Sequence, residues 1–233
     1  MQKSRFLLLT SIIVIAAAAR MIPFVLGALG LTDVTQVAGA LWNFSPVTAL
    51  FLFGGAQFAD RRAAYLTPLV AMLLSDIGIG LLLGDMSMGL HPVIPAMYGC
   101  YAMIVWLGRR LRDLKSRLNN AGSDSVSASR LRRWQTQVLL VLAAVGAGIL
   151  GELLYFTVTN FAQWIVQTGY YPHTAAGLVQ CYVAGIPFLK NALSSTPIFA
   201  VVAFGGHAIA ESWFPAVDQS SLAPAAQQTV AAV

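Results

Sequence analysis

Charge is scarce in this chain. Only 10% of its 233 residues are Asp, Glu, Lys or Arg, where a soluble domain carries about a quarter. That shortage excludes an ordinary water-soluble fold. Cysteine is scarce too. Cys100 and Cys181 stand apart in apolar surroundings and no CxxC pair occurs, which leaves a disulfide framework or zinc ribbon without support. The chain also lacks GxxxxGK[ST], HExxH and GxSxG. Those gaps argue against P-loop ATP hydrolysis, zinc proteolysis and nucleophile-elbow hydrolysis. Met86, Met88 and His91 bring sulfur and imidazole into one short stretch, but read as a polar turn rather than a copper site. The sequence predicts no enzyme, no metal and no cofactor.

Apolar length is what the chain has instead. Hydrophobic residues make up 58% of it, and the mean hydropathy is +0.72. The runs are long enough for membrane helices. Six spans are read, at 6–29, 46–59, 63–84, 92–107, 137–160 and 187–210. The expected fold class is all-α integral membrane. A six-helix domain occupies 1–213, and a disordered cytoplasmic tail follows at 214–233. Ser45 and Pro46 mark a sharp helix start for the second span, as N-cap and first helical residue. The span is short, and the alternative is an earlier start near Val37 with a break at Asn43–Pro46. Lys3, Arg5 and the apolar run after them imitate a secretory signal. The run resumes after Arg20 and continues to Leu31, which favours a retained span.

Orientation follows from the basic residues. With the N-terminus inside, Lys3, Arg5, Arg61, Arg62, Arg109, Arg110, Arg112, Lys115, Arg117, Arg130, Arg132 and Arg133 all fall on the cytoplasmic side. That is twelve of the fourteen Lys and Arg. This satisfies the positive-inside rule and puts both termini in the cytoplasm. The net charge of +5 flanks apolar spans, so the bilayer, not nucleic acid, is the expected partner. Residues 108–135 read as one long internal loop with basic flanks and a flexible centre.

Ionisable residues inside spans are costly and are functional candidates. Four occur: Arg20, Asp76, Glu152 and Lys190. At about 1.5 Å per residue, the first three lie ~20–22 Å from the inner ends of their spans. Lys190 stands near the outer start of its own. All four thus fall in the outer half of a hydrocarbon core of roughly 30 Å. Asn43 guards the entry to the second span, and Asn191 adjoins Lys190. Glu152, Tyr155, Thr159 and Gln163 share one helical face, with Asn160 beside them. Residues 161–186, carrying Trp164, Tyr170, Tyr171 and Tyr182, read as an outer lid over this polar half, or else as an aromatic belt. The expected substrate-binding set is Arg20, Asn43, Asp76, Glu152, Tyr155 and Asn160, completed by Trp164, Tyr171, Lys190 and Asn191. The plainer alternative is that the charges only pair and lock the helices. Ala143, Ala147 and Gly151 form a small-residue stripe, Ala144 and Gly148 another, either of which lets a helix approach closely, within the chain or in another subunit. SPVTALFLFGG at 45–55 and TPIFAVVAFGG at 196–206 echo each other.

Three stretches carry a resemblance: WNFSPVTALFLFGGAQF, LTPLVAMLLSDIGIG and LYFTVTNFAQWIVQTGYYPHTAAGLVQCYVAGIPFLKN. Together they resemble a family of uncharacterised bacterial membrane proteins labelled as transport proteins. That family is similar in turn to the substrate-binding S components of energy-coupling-factor (ECF) vitamin transporters. The resemblance implies an S-component-like bundle in the bacterial inner membrane with an external site for a small solute. It implies an energising membrane partner or self-association. The rival expectation is an envelope scaffold that binds no solute.

Overall fold

The computed structural model describes residues 10–11, 13–14, 17–18, 20–30, 44–120, 126–166 and 169–213. These residues form helices and turns, and no strand occurs among them. The elements are α1 (Ile22–Ala28), α2 (Val47–Gln57), α3 (Arg61–Leu83), α4 (Met86–Gly89), α5 (Ile94–Asn120), α6 (Val126–Val166) and α7 (Ala175–Ala200). A π-helical turn, Val201–Gly205, leads into α8 (Gly206–Trp213). Among the described residues, four segments are long and apolar enough to cross a membrane: Arg61–Leu83, Met86–Asn119, Arg133–Val166 and Ala175–Glu211. They correspond to the last four expected spans. The first expected span lies largely outside the described residues.

The described part of the second expected span is short. It is α2, a helix of 11 residues, or ~16 Å, about half the thickness of a hydrocarbon core. The chain leaves the helix at Phe58, which is extended, and Asp60 then caps α3 by accepting from Ala63 N–H at 2.7 Å. Every residue from Thr48 to Gln57 is buried. A helix apolar on all sides belongs in an interior, and α2 is the central post of the bundle. It touches α5 backbone to backbone. A Cβ at Gly55 would stand 2.3 Å from the Val105 carbonyl oxygen, and one at Gly108 2.2 Å from that of Leu52. Both ends of α2 are satisfied inside the protein. Val47 N–H donates to Ser45 Oγ at 3.3 Å. Arg112 Nη1 donates to the Gln57 carbonyl at 3.3 Å, setting a cation at the helix C-terminus.

Around α2 lies the hydrophobic core, with Leu52, Phe53, Ile104 and Val105 fully or almost fully buried. Phe51 stacks on Tyr101 at 4.5 Å. Leu66, Leu81, Leu142 and Val202 point outward instead, which suits helices whose outer face meets lipid.

Two further expectations change. The loop expected at 108–135 is helical from 108 to 120 and again from 126. Leu, Arg, Lys and Gln dominate its flanks and are good helix formers, so α5 and α6 simply run on. Residues 121–125 lie outside the described residues, as does the tail at 214–233. In addition, α7 begins at Ala175, well before the expected start at 187, and passes through Pro187 and Pro197. Each proline removes a donor from the helical ladder, and the π-helical turn begins four residues after Pro197.

The small-residue stripes of α6 serve internal packing. A Cβ on Gly148 would stand 2.6 Å from Thr196 Cγ2, and one on Gly151 3.5 Å from Thr48 Cγ2. The two echoing segments lie side by side and run the same way. Thr48 and Thr196 meet at Glu152, and Phe53 meets Phe204 edge-on at 5.5 Å.

Candidate functional site

Most of the ionisable and hydroxyl groups buried in the spans gather in a network built on α2, α3, α5, α6, α7 and the segment before α1. Arg20 Nη1 pairs with Asp76 Oδ1. The second oxygen of Asp76 accepts from the Tyr98 hydroxyl at 2.8 Å. Arg20 also reaches Ser75 Oγ at 3.4 Å, and that hydroxyl donates to the Ala17 carbonyl at 3.3 Å. Asp76 is only 2% exposed. A buried carboxylate of this kind is held by a full opposite charge and a hydroxyl together. The backbone beneath it is equally tight, because a Cβ on Gly89 would stand 1.9 Å from the Asp76 carbonyl oxygen. The short helix α4 is thereby pressed on α3 at the level of the site.

Glu152 forms the second pole. It is 7% exposed, and Thr196 Oγ1 donates to its Oε1 at 2.6 Å. The Thr48 hydroxyl is its other partner. Between the poles stand two phenols, Tyr101 of α5 and Tyr155 of α6. They are stacked at 5.4 Å, hydrogen-bonded to each other, and within electrostatic reach of both Arg20 and Glu152. Tyr98 meets Tyr101 edge-on at 5.8 Å. Ser45 and Ser195 join α2 to α7 next to the Glu152 pole, with the Ser45 N–H donating to Ser195 Oγ at 3.3 Å.

Of the residues expected from sequence, Arg20, Asp76, Glu152 and Tyr155 come together. Lys190 does not. It is exposed on α7 and forms no ion pair with Asp76 or Glu152. Neighbouring Asn191 is half-buried on the same helix. Asn43 lies outside the described residues.

Asn160, Trp164 and Tyr171 belong to a helical hairpin, where the sequence had suggested a lid. In place of a separate covering element over 161–186, α6 runs to Val166, a tight turn occupies 169–174, and α7 starts at once. The polar and aromatic groups hold the hairpin shut. Trp164 Nε1 donates to the Pro172 carbonyl at 3.0 Å, and His173 Nε2 lies 2.9 Å from the Trp164 carbonyl. Thr174 caps α7 by accepting from Gly177 N–H at 3.1 Å. The Tyr182 hydroxyl donates to the Thr157 carbonyl at 2.7 Å. Asn160 Nδ2 donates to the Phe156 carbonyl at 2.8 Å, and Asn160 is seated against Gly185. Tyr171 is half-buried in the turn. The Asn160 amide thus satisfies a local backbone carbonyl.

Sequence reasoning missed Tyr98, Tyr101, Thr48 and Thr196. Tyrosines near a span end read as interface aromatics, and hydroxyls in apolar runs are common, so no local signal separated these four. It also missed a second polar cluster at the other end of the bundle. There, Lys115 Nζ pairs with Glu211 at 2.8 Å and Gln137 Nε2 donates to Glu211 at 3.0 Å. His207 Nδ1 lies 3.6 Å from Glu211. Gln57, Arg112, Lys115, Gln137 and His207 line a cavity of about 20 Å³, room for a single water. His207 and Glu211 at i,i+4 were the available signal.

The contacts of Gln57 with Arg112, and of Lys115 and Gln137 with Glu211, gather the end of α2, the C-terminal part of α5, the N-terminal part of α6 and α8 at one basic end. The network of Arg20 and Glu152 lies toward the opposite end. Together, the apolar helices and their buried polar interior define a multi-pass α-helical membrane protein. The chain belongs to a family of unknown function, DUF6580, whose family model matches residues 1–217. No curated protein and no solved structure matches it.

Proposed function

We propose that the protein binds a small polar solute from the outer side of the bacterial inner membrane and takes part in its transport. One observation carries this reading. Charged and hydroxyl groups from α2, α3, α5, α6, α7 and the segment before α1 converge in a single buried network. Polar groups at membrane depth are expensive and mark substrate or ion paths. The network also sits away from the basic end, which is cytoplasmic under the positive-inside rule. On this reading the N-terminal segment and α2 with the residues before it complete six spans, with both termini inside. The bundle then works as the S components it resembles are expected to work, alone or with an energising membrane partner. Arg20, Asp76, Tyr155 and Glu152 line the solute chamber, with Tyr98, Tyr101, Thr48 and Thr196.

A second reading, an envelope scaffold, is favoured by the closure of the Arg20–Asp76 pair, which already satisfies both groups. Mass spectrometry of protein purified in lipid nanodiscs separates the two. A co-purified small molecule whose binding weakens in Tyr155→Phe, at an unchanged melting temperature, supports the solute chamber. Protein that carries no small molecule and binds none from a metabolite extract supports the scaffold.

A further inference from the structure

The two buried carboxyls are held by different chemistry. Asp76 faces the guanidinium of Arg20 and the Tyr98 hydroxyl. Glu152 is also buried, at 7% exposure, yet its partners are the neutral hydroxyls of Thr196 and Thr48. None of the described ion pairs reaches it.

An ionised carboxylate without a counter-charge is disfavoured in an apolar interior, and neutralisation is the usual relief. The partners of Glu152 permit that change. A hydroxyl both donates and accepts, whereas a guanidinium only donates. Thr196 and Thr48 can donate to a carboxylate or accept from a carboxylic acid without leaving their places. Arg20 has no such freedom and can only donate to Asp76. The charged form of Glu152 is still within reach, because Thr48 stands in the first turn of α2, whose amide end favours negative charge.

Among the described residues, the titratable neighbours of Glu152 are few. On α6 it is followed one turn on by Tyr155, and α5 presents Tyr101. Arg20 and Asp76 lie beyond these phenols. From α2 and α7 come only the threonines. Lys190 is exposed, and His207 and Glu211 belong to the basic end.

We propose that Glu152 is a reversible proton-binding site inside the bundle, and that solute movement through the chamber is linked to it. Proton uptake forms one O–H bond on a carboxylate oxygen. Release breaks that bond, leaves the electron pair on the oxygen and returns the proton to water. The linkage to a solute rests on the transport reading; the proton site itself does not.

Infrared difference spectroscopy on the full chain in lipid nanodiscs tests the proton site, across roughly pH 5 to pH 9. The expected result is a carboxylic C=O band that fades reversibly as pH rises. It is absent from Glu152→Gln and displaced to higher frequency in Thr196→Val, which loses a hydrogen bond. Should Glu152→Gln fail to fold, the displacement in Thr196→Val still assigns the band. Three results overturn the proposal: no such band at any pH in the range, a band that pH leaves unchanged, or a band that neither variant affects. A carboxylate signal that answers to sodium ions and not to pH overturns it too, in favour of a metal cation. No solute enters the measurement, so its failure leaves the solute-binding reading standing. A confirmed band from protein that binds no solute would discard the linkage alone.

Discussion

Asp76→Asn removes one half of a buried ion pair and leaves the guanidinium of Arg20 without its counter-charge. The expected loss of stability is about 3–5 kcal/mol, read from denaturation midpoints in detergent. Tyr98→Phe deletes a single hydrogen bond to a charged acceptor and should cost about 1.5–3 kcal/mol. Replacing both charges together, with Arg20→Met and Asp76→Leu, should recover much of the loss, because no lone charge remains buried. If the double variant is no better than Asp76→Asn, the pair is not a self-contained lock. Asp85 gives a residue-scale test outside the spans. It is exposed in the turn between α3 and α4, and the hydroxyl and N–H of Ser87 hold its carboxyl below the usual carboxylate range. A lowered folded value means that the contribution of Asp85 is present above its ordinary value of about 3.9. The contribution is lost as pH falls through the folded value. NMR titration of the Asp85 side chain should show a midpoint below that ordinary value. In Ser87→Ala the midpoint should rise part of the way back, since the backbone N–H bond survives.

At the scale of the element, α2 and α5 depend on having nothing between them. Gly108→Ala would drive a methyl group to 2.2 Å from the Leu52 carbonyl oxygen, where no flexible side chain can yield. The helices must separate, and the loss should reach or exceed the upper end of the about 1–3 kcal/mol typical of overpacking. Gly99 on the same helix supplies the control, because a Cβ there meets nothing within 4 Å. Gly99→Ala should be neutral or stabilising by up to about 1 kcal/mol through helix propensity. Thermal melts of the two variants decide the matter, and equal effects would refute the close crossing. The hairpin of α6 and α7 rests on different contacts. Its closure uses Trp164, His173 and Thr174 near the turn, then Asn160 and Tyr182 one to two turns below. These are side-chain bonds to backbone carbonyls and amides, and they need no bound ligand.

For the whole molecule, the positive-inside rule predicts that the basic end faces the cytoplasm. Ser116 and Tyr170 are exposed at opposite ends of the bundle, while the native Cys100 and Cys181 are buried. Single cysteines at these two positions should therefore report topology against a quiet background. In intact cells, Tyr170→Cys should react with a membrane-impermeant thiol reagent. Ser116→Cys should react only after the cells are opened. The reverse pattern would invert the molecule and place the Arg20–Glu152 network nearer the cytoplasm, which would remove the external solute chamber.

The sequence by itself determined the solvent this protein folds in, since 10% charge and 58% apolar residues leave no water-soluble alternative. It also determined the four long apolar segments, because the length of a helix follows directly from residue count. Rotation about a helix axis and the choice of neighbour do not follow from count. Apolar runs in lipid carry little amphipathic signal, as both the lipid face and the packed face are apolar. Only the tertiary structure therefore decided that Arg20 meets Asp76, that Glu152 meets two threonines, and that Lys190 stands outside. The same limit hid the nature of α2. Its composition is that of a span, and it became a short buried post because the chain turns at Phe58 and Gly55 and Gly108 let α5 close upon it. Local bonding could be read only as a residue inventory over 159–182. Which carbonyl each aromatic or amide would serve depended on two helices arriving side by side, a long-range fact that no window of sequence contains.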